Sequence, residues 1–216
     1  MIMSPITPTD LGRILAEFAR RLDGHPRAAA AFARIRATWP VMPGSVDTPA
    51  QRISAMRLAE AFGIGTLDEE PERAFSWDGA VIRWRTEASV TVHEVAHWQL
   101  CAPERRALPD FGLGAGPESG LKDIADAALA VSSEQLEHEE VLTSLLGILW
   151  EAELGQPAIL AFLEQNWLEG PERPSTLAFF TTSLDELHQR GVIGRDGRPV
   201  FPPGPPPGPS PEGFSE

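Results

Sequence analysis

Apolar residues recur at helical spacing along most of this chain. Between residues 9 and 22, Leu11, Ile14, Leu15, Phe18 and Leu22 fall three or four apart and line one helix face, which Asp23-Gly24 and Pro26 bring to an end. An alanine-rich stretch over 27–39, stopped by Pro40, predicts a second helix. Residues 49–62 predict a third, with Ile53, Met56, Leu58 and Ala61 turned inward. Gly63, Gly65 and the acidic run over 68–72 then break the pattern.

The next segment changes character. Residues 74–77 and 80–85 flank Asp78-Gly79, a pair suited to a tight turn, and read as a hairpin. A helix over 88–100 follows, and then the Gly- and Pro-rich stretch 109–120, expected to be loop. Further helices are expected at 122–131, at 133–154 with Ser133 as cap and Gly155 as stop, at 158–167 and at 175–190. Residues 191–201 read as a small hairpin around Arg195-Asp196-Gly197, and 202–216, dense in Pro, Gly and Ser, as a disordered tail. The expected architecture is a mostly helical α+β protein with one hydrophobic core: a helical segment over 1–73, a metal-binding core over 74–190, the hairpin and the tail.

Composition narrows the possible partners. The 216 residues carry a formal charge of -13 and one lysine, Lys122, which leaves no broad lysine-rich surface to neutralise phosphates, and a nucleic-acid partner is not expected. Cys101 is the only cysteine, which rules out an internal disulfide and points to no oxidising compartment. The start of the chain lacks the basic and apolar pattern of a signal peptide, and no stretch approaches the ~20 apolar residues that span a bilayer. The expectation is a cytoplasmic protein with no membrane partner.

The chemistry concentrates on the helix over 88–100. Residues four apart share a helix face, so His93 and His97 of His93-Glu94-Val95-Ala96-His97 can both direct a ring nitrogen at one ion, about 2.0 to 2.1 Å away if it is zinc. Two histidines paired in a core are the plainer alternative. In a zinc peptidase Glu94 polarises the metal-bound water; in a non-hydrolytic site it orients water or substrate. Cys101 lies one more helical step along, but Ala102-Pro103 ends the helix there, and the residue reads as a small buried thiol.

A third ligand is required, and Glu134, Glu137, His138, Glu139 and Glu140 are the richest supply. Periodicity leaves the choice open: Glu139 continues the stripe of Leu142, Leu146 and Leu149, whereas Glu140 lies on the line of Thr143, Ser144 and Gly147, whose small side chains leave room for an ion.

The run His93-Glu94-Val95-Ala96-His97-Trp98, then six residues, then Arg105-Arg106-Ala107-Leu108-Pro109-Asp110-Phe111-Gly112, resembles without a gap the signature of the bacterial elongation factor P hydroxylase family. Glu140-Val141 before an apolar helix ending in Gly155-Gln156-Pro157, and Pro171-Glu172-Arg173-Pro174 further on, are similar to it as well; the likeness covers about residues 75–187. It implies a metal helix of the zincin type, His93, His97 and Glu140 as ligands, Fe(II) rather than Zn(II), and hydroxylation of a lysine side chain on a protein substrate, elongation factor P. Two histidines and a carboxylate on one side of Fe(II) leave positions free for dioxygen and substrate.

Around these ligands, Asp110 is expected to accept a hydrogen bond from a ligand histidine. Arg105 and Arg106 are expected to bind an acidic partner or to pair with surface carboxylates. Trp98 is expected to pack in the core rather than stack on substrate. Two other functions suit the same residues: a zinc metallopeptidase with a distant Glu ligand, and a non-catalytic, metal-stabilised interaction protein whose Pro-rich tail docks on a partner.

Overall fold

The computed structural model describes residues 8–71, 77–114, 122–168 and 174–202. Its helices are α1 (Pro8–Arg21), α2 (Pro26–Ala37), α3 (Pro49–Ala61), α4 (Ala88–Leu100), α5 (Lys122–Ala127), α6 (Ser133–Glu153), α7 (Ala158–Glu164) and α8 (Pro174–Gln189). Two short strands, β1 (Gly65–Leu67) and β2 (Val81–Arg83), and 3-10 turns at Pro103–Arg105 and Pro109–Gly112 complete the described elements. The mostly helical α+β class is therefore what the chain adopts.

Helix α6 is the axis of the fold and packs against α2, α4, α7 and α8. Phe18 of α1, Phe32 of α2, Phe162 of α7 and Phe180 of α8 meet ring against ring at centroid distances of 4.8 to 6.2 Å. Edge-on and tilted contacts of this kind add about 0.5–1.5 kcal/mol per pair beyond area burial. Through them α1 and α2 share one buried apolar cluster with the helices after residue 74.

Helix α3 packs on α4 through Ala55, Leu58 and Ala59. Of the four residues expected to face inward, Leu58 does so, but Ile53 is 37% exposed, and Met56 and Ala61 are half-buried. The alanines win because their small side chains let two helix backbones approach closely. At the far face of α4, a Cβ added at Gly147 of α6 would sit 3.8 Å from His93 Cα, an ordinary contact distance.

Of the expected hairpin around Asp78-Gly79, the described residues show the turn, where Asp78 Oδ1 accepts from the backbone N–H of Ala80 (2.9 Å) and Val81 (3.0 Å), and one antiparallel bridge, Trp77 to Ile82. The outgoing arm pairs in parallel with β1, Gly65 opposite Val81. Three residues, the first of them the breaker Gly65, carry no period that would mark β1 as a strand. Residues 72–76 of the expected incoming arm lie outside the described residues.

Smaller corrections concern element ends. The cap of α6 is Ser132, not Ser133, in a reciprocal capping box with Gln135. Helix α5 ends at Ala127 rather than continuing to 131. The loop expected over 109–120 begins with the turn at Pro109–Gly112, and 115–121 lie outside the described residues. Residues 191–201 form a minimal hairpin with one bridge, Ile193 to Pro199, and Phe201 packs on Trp150 at 4.7 Å. The tail from residue 203 on lies outside the described residues. No described helix is long and apolar enough to cross a membrane.

Candidate metal centre

Helix α4 buries Thr91, Val92, Val95, Ala96 and Leu100, which leaves its histidine face toward α6. Its first free N–H, that of Ala88, is capped from outside the helix by Asp47 Oδ1 at 2.9 Å. On α6, Glu140 stands opposite: His93 Nε2 is 3.6 Å from Glu140 Oε2, and His97 Nε2 is 3.4 Å from Glu140 Oε1. One ligand atom from each of His93, His97 and Glu140 lies within 4.8 Å of the others, so the trio can hold one metal ion.

Glu139 is directed elsewhere. Its carboxylate pairs with the Arg105 guanidinium, both side chains being 13% exposed, and Arg105 also donates to the Phe111 carbonyl at 2.8 Å. Adjacent acids on one helix therefore part company, one to the histidines and one to an arginine.

His97 is the buried member, its side chain 4% exposed. Its Nδ1 lies 3.2 Å from the buried Thr143 Oγ1. A proton held on Nδ1 and donated to Thr143 leaves the Nε2 lone pair directed at the centre of the trio, the arrangement usual behind a ligand histidine. Asp110, expected in that part, makes no such bond; Thr143, one turn along α6 from Glu140, takes it. Phe111 stacks on the His97 ring at 5.4 Å and on Trp77 at 5.2 Å. Neither Thr143 nor these two aromatics was singled out as a site residue from sequence.

Electrostatics divide the carboxylates. Burial alone would raise Glu140, but the two histidine rings beside it hold it well below the ordinary range. Burial lowers His97, against the pull of Glu140. Glu94, 8% exposed, is pushed well up by burial and then by the charges of Asp110 and Glu140, and its Oε2 is sealed from solvent without a hydrogen-bond partner among the described residues. Asp110 is raised to about 6, by burial first and Glu140 second.

The remaining candidates serve the scaffold. Arg106 donates from Nε to the Trp98 carbonyl at 3.0 Å and lies 4.8 Å over the Trp98 ring, while its own carbonyl accepts from Trp77 Nε1 at 3.1 Å. Both arginines thus make contacts within the chain. Trp98 packs edge-on against Trp77 at 5.5 Å. Cys101 is buried, its thiol is raised by that burial, and it stands outside the trio.

Two imidazole nitrogens and a carboxylate suit Fe(II) and Zn(II) alike, and the orphaned Oε2 of Glu94 fits a site whose occupant supplies the missing donor. No protein-family model matches the chain, and no curated protein or solved structure matches it.

Proposed function

We propose that the protein is a metal-dependent hydroxylase acting on a lysine side chain of a protein, in the manner of elongation factor P hydroxylases. The observation that carries this reading is where the stretch from Trp98 to Gly112 comes to rest. Phe111 lies against the ligand ring of His97, and Arg105 clamps Glu139 beside the ligand Glu140. Two residues of the motif thus pack beside the ligands, which supports the reading.

His93, His97 and Glu140 would hold Fe(II), which supplies a place for dioxygen to bind and be reduced. In the overall reaction one oxygen atom replaces C–H by C–OH. The other leaves as water, with two electrons and two protons supplied by an external reductant. The chain's own part is positional: Thr143 orients His97, Phe111 covers its ring with Trp77 stacked on Phe111, and Glu94 stands ready to hold or release a proton. Purification without oxygen, followed by metal analysis and incubation with elongation factor P, tests the reading. Bound iron and an oxygen-dependent gain of one oxygen atom on lysine are expected; absence of both sinks it.

One observation favours a second reading. A sealed, unpartnered carboxyl next to a two-histidine, one-glutamate set is also what a zinc hydrolase uses to take the proton of its nucleophilic water. Zinc at one equivalent with amide cleavage lost in Glu94→Gln would decide for that alternative.

A further inference from the structure

Where α1 meets α2 the surface opens into a groove of about 430 Å³, walled by Ala19 of α1 and Ala29, Ala33 and Ala37 of α2, with Phe32 beneath and Arg36 among its lining residues. Beyond Ala37, Trp39 leans across to α1, so that a Cβ on Gly12 would lie 3.4 Å from its ring, yet the residue stays 39% exposed. The groove is thus apolar, ends on an aromatic face, and carries one charge.

That charge has no partner. The neighbouring arginines of α2 are engaged: Arg34 donates to the Asp196 carbonyl at 2.9 Å, and Arg27 pairs with Asp185. Arg36 forms no salt bridge or side-chain hydrogen bond with the described residues. Acids outnumber bases in the chain by 31 to 18, so a guanidinium left unmatched is not for want of carboxylates. An arginine set in apolar walls is complementary to an occupant that is apolar and acidic.

Residues 203–216 have that character. They carry Phe214 between Glu212 and Glu216, six prolines, and no lysine or arginine. Proline-rich segments dock on aromatic-lined grooves because their extended form is set in advance, and Trp39 offers such a face. They also start from the right place. The hairpin before them lies on α2, with Arg34 on Asp196 and a Cβ on Gly197 falling 3.0 Å from that of Ala31. From residue 203 to Phe214 a polyproline-type extension would span about 35 Å, roughly twice the ~18 Å length of α2, so the whole groove is within reach. Of the other segments outside the described residues, 1–7 hold no acid, and 72–76, 115–121 and 169–173 are short and tied at both ends.

We propose that the groove between α1 and α2 is the docking site of the chain's own residues 203–216, with Phe214 seated among the alanines and Glu212 or Glu216 paired with Arg36. The proposal is independent of what the His93, His97 and Glu140 trio binds.

The test uses the full chain, isotope-labelled for amide spectra, with a nitroxide attached through Ser215→Cys; Cys101, 4% exposed, is left unmodified. In dilute solution the amide signals of Ala29, Ala33 and Ala37 lose most of their intensity and recover when the nitroxide is reduced. Arg36→Glu removes about half or more of that loss, as does Phe214→Ser, and adding Glu212→Lys with Glu216→Lys to the Arg36→Glu chain brings it back. Full intensity at those amides in the nitroxide-bearing chain, or a loss that Arg36→Glu leaves unchanged, overturns the proposal. So does an equal loss in a mixture of nitroxide-bearing chains without isotope and isotope-labelled chains without nitroxide, which would make the occupant the same segment of a second copy.

Discussion

The two ends of α6 bury carboxylates in opposite ways. Near its start Glu139 and Glu140 each meet a partner, Arg105 for one and the two histidines for the other. Near its end Glu151 is 7% exposed, forms no salt bridge with the described residues, and is pushed up to about 7 by burial and by the charge of Glu164. One helix thus carries a carboxylate kept ionised for use and another kept neutral by its surroundings. Burial is common to both; the neighbours decide the charge.

The sharpest way to break this comparison is to remove the ligand. Glu140→Ala abolishes stoichiometric metal binding, whereas Glu139→Gln preserves it, as measured by competition with a chromogenic chelator; equal behaviour of the two variants would erase the distinction between the adjacent acids. At the other end, Glu151→Gln isolates the cost of ionisation. An unfolded glutamate releases its proton near 4.5, while the folded one holds it to about 7. The folded state therefore binds the extra proton between those values, and stability falls as pH rises through that window, then levels off. A gap of that size corresponds to roughly 3 kcal/mol, so Glu151→Gln is the more stable protein at pH 8.5 by up to about that amount and equal to wild type near pH 4. Denaturant titrations at the two pH values that give parallel curves would remove Glu151 from the comparison.

Two smaller effects sharpen it. Thr143→Val withdraws the partner of His97 Nδ1 at nearly constant shape and lowers metal affinity about 10–100-fold with little loss of fold. Unchanged affinity would mean that packing alone sets the ring. Ser132→Ala removes the cap at the polar end of α6 and costs about 1 kcal/mol of stability by thermal unfolding, with metal affinity retained. A change in metal affinity would tie the site to the fraying of the helix start.

Legibility from sequence followed the range of the interactions. The span of α4 and the His93–His97 spacing rest on local periodicity and were readable to the residue. Glu139 and Glu140 were not separable by periodicity, because the choice depends on Arg105, 34 positions earlier in the chain. Strand β1 escaped notice because its three residues acquire meaning only beside β2. Thr143 looked merely small, and its bond to His97 spans 46 positions. The left-handed backbone at Asp110 and Phe111 had no signal of its own, since neither residue is a glycine.

That backbone bears on how the protein would respond to selection. Position 110 is one where glycine would fit the backbone better than the resident residue, and the gain in conformational comfort is set against the loss of a carboxylate at the site. A library screened for heat resistance alone would be drawn toward glycine there and would discard the acid, whereas a library screened for activity would hold aspartate only if the acid serves the site. Sequencing the survivors of the two screens side by side would show directly whether position 110 answers to durability or to work.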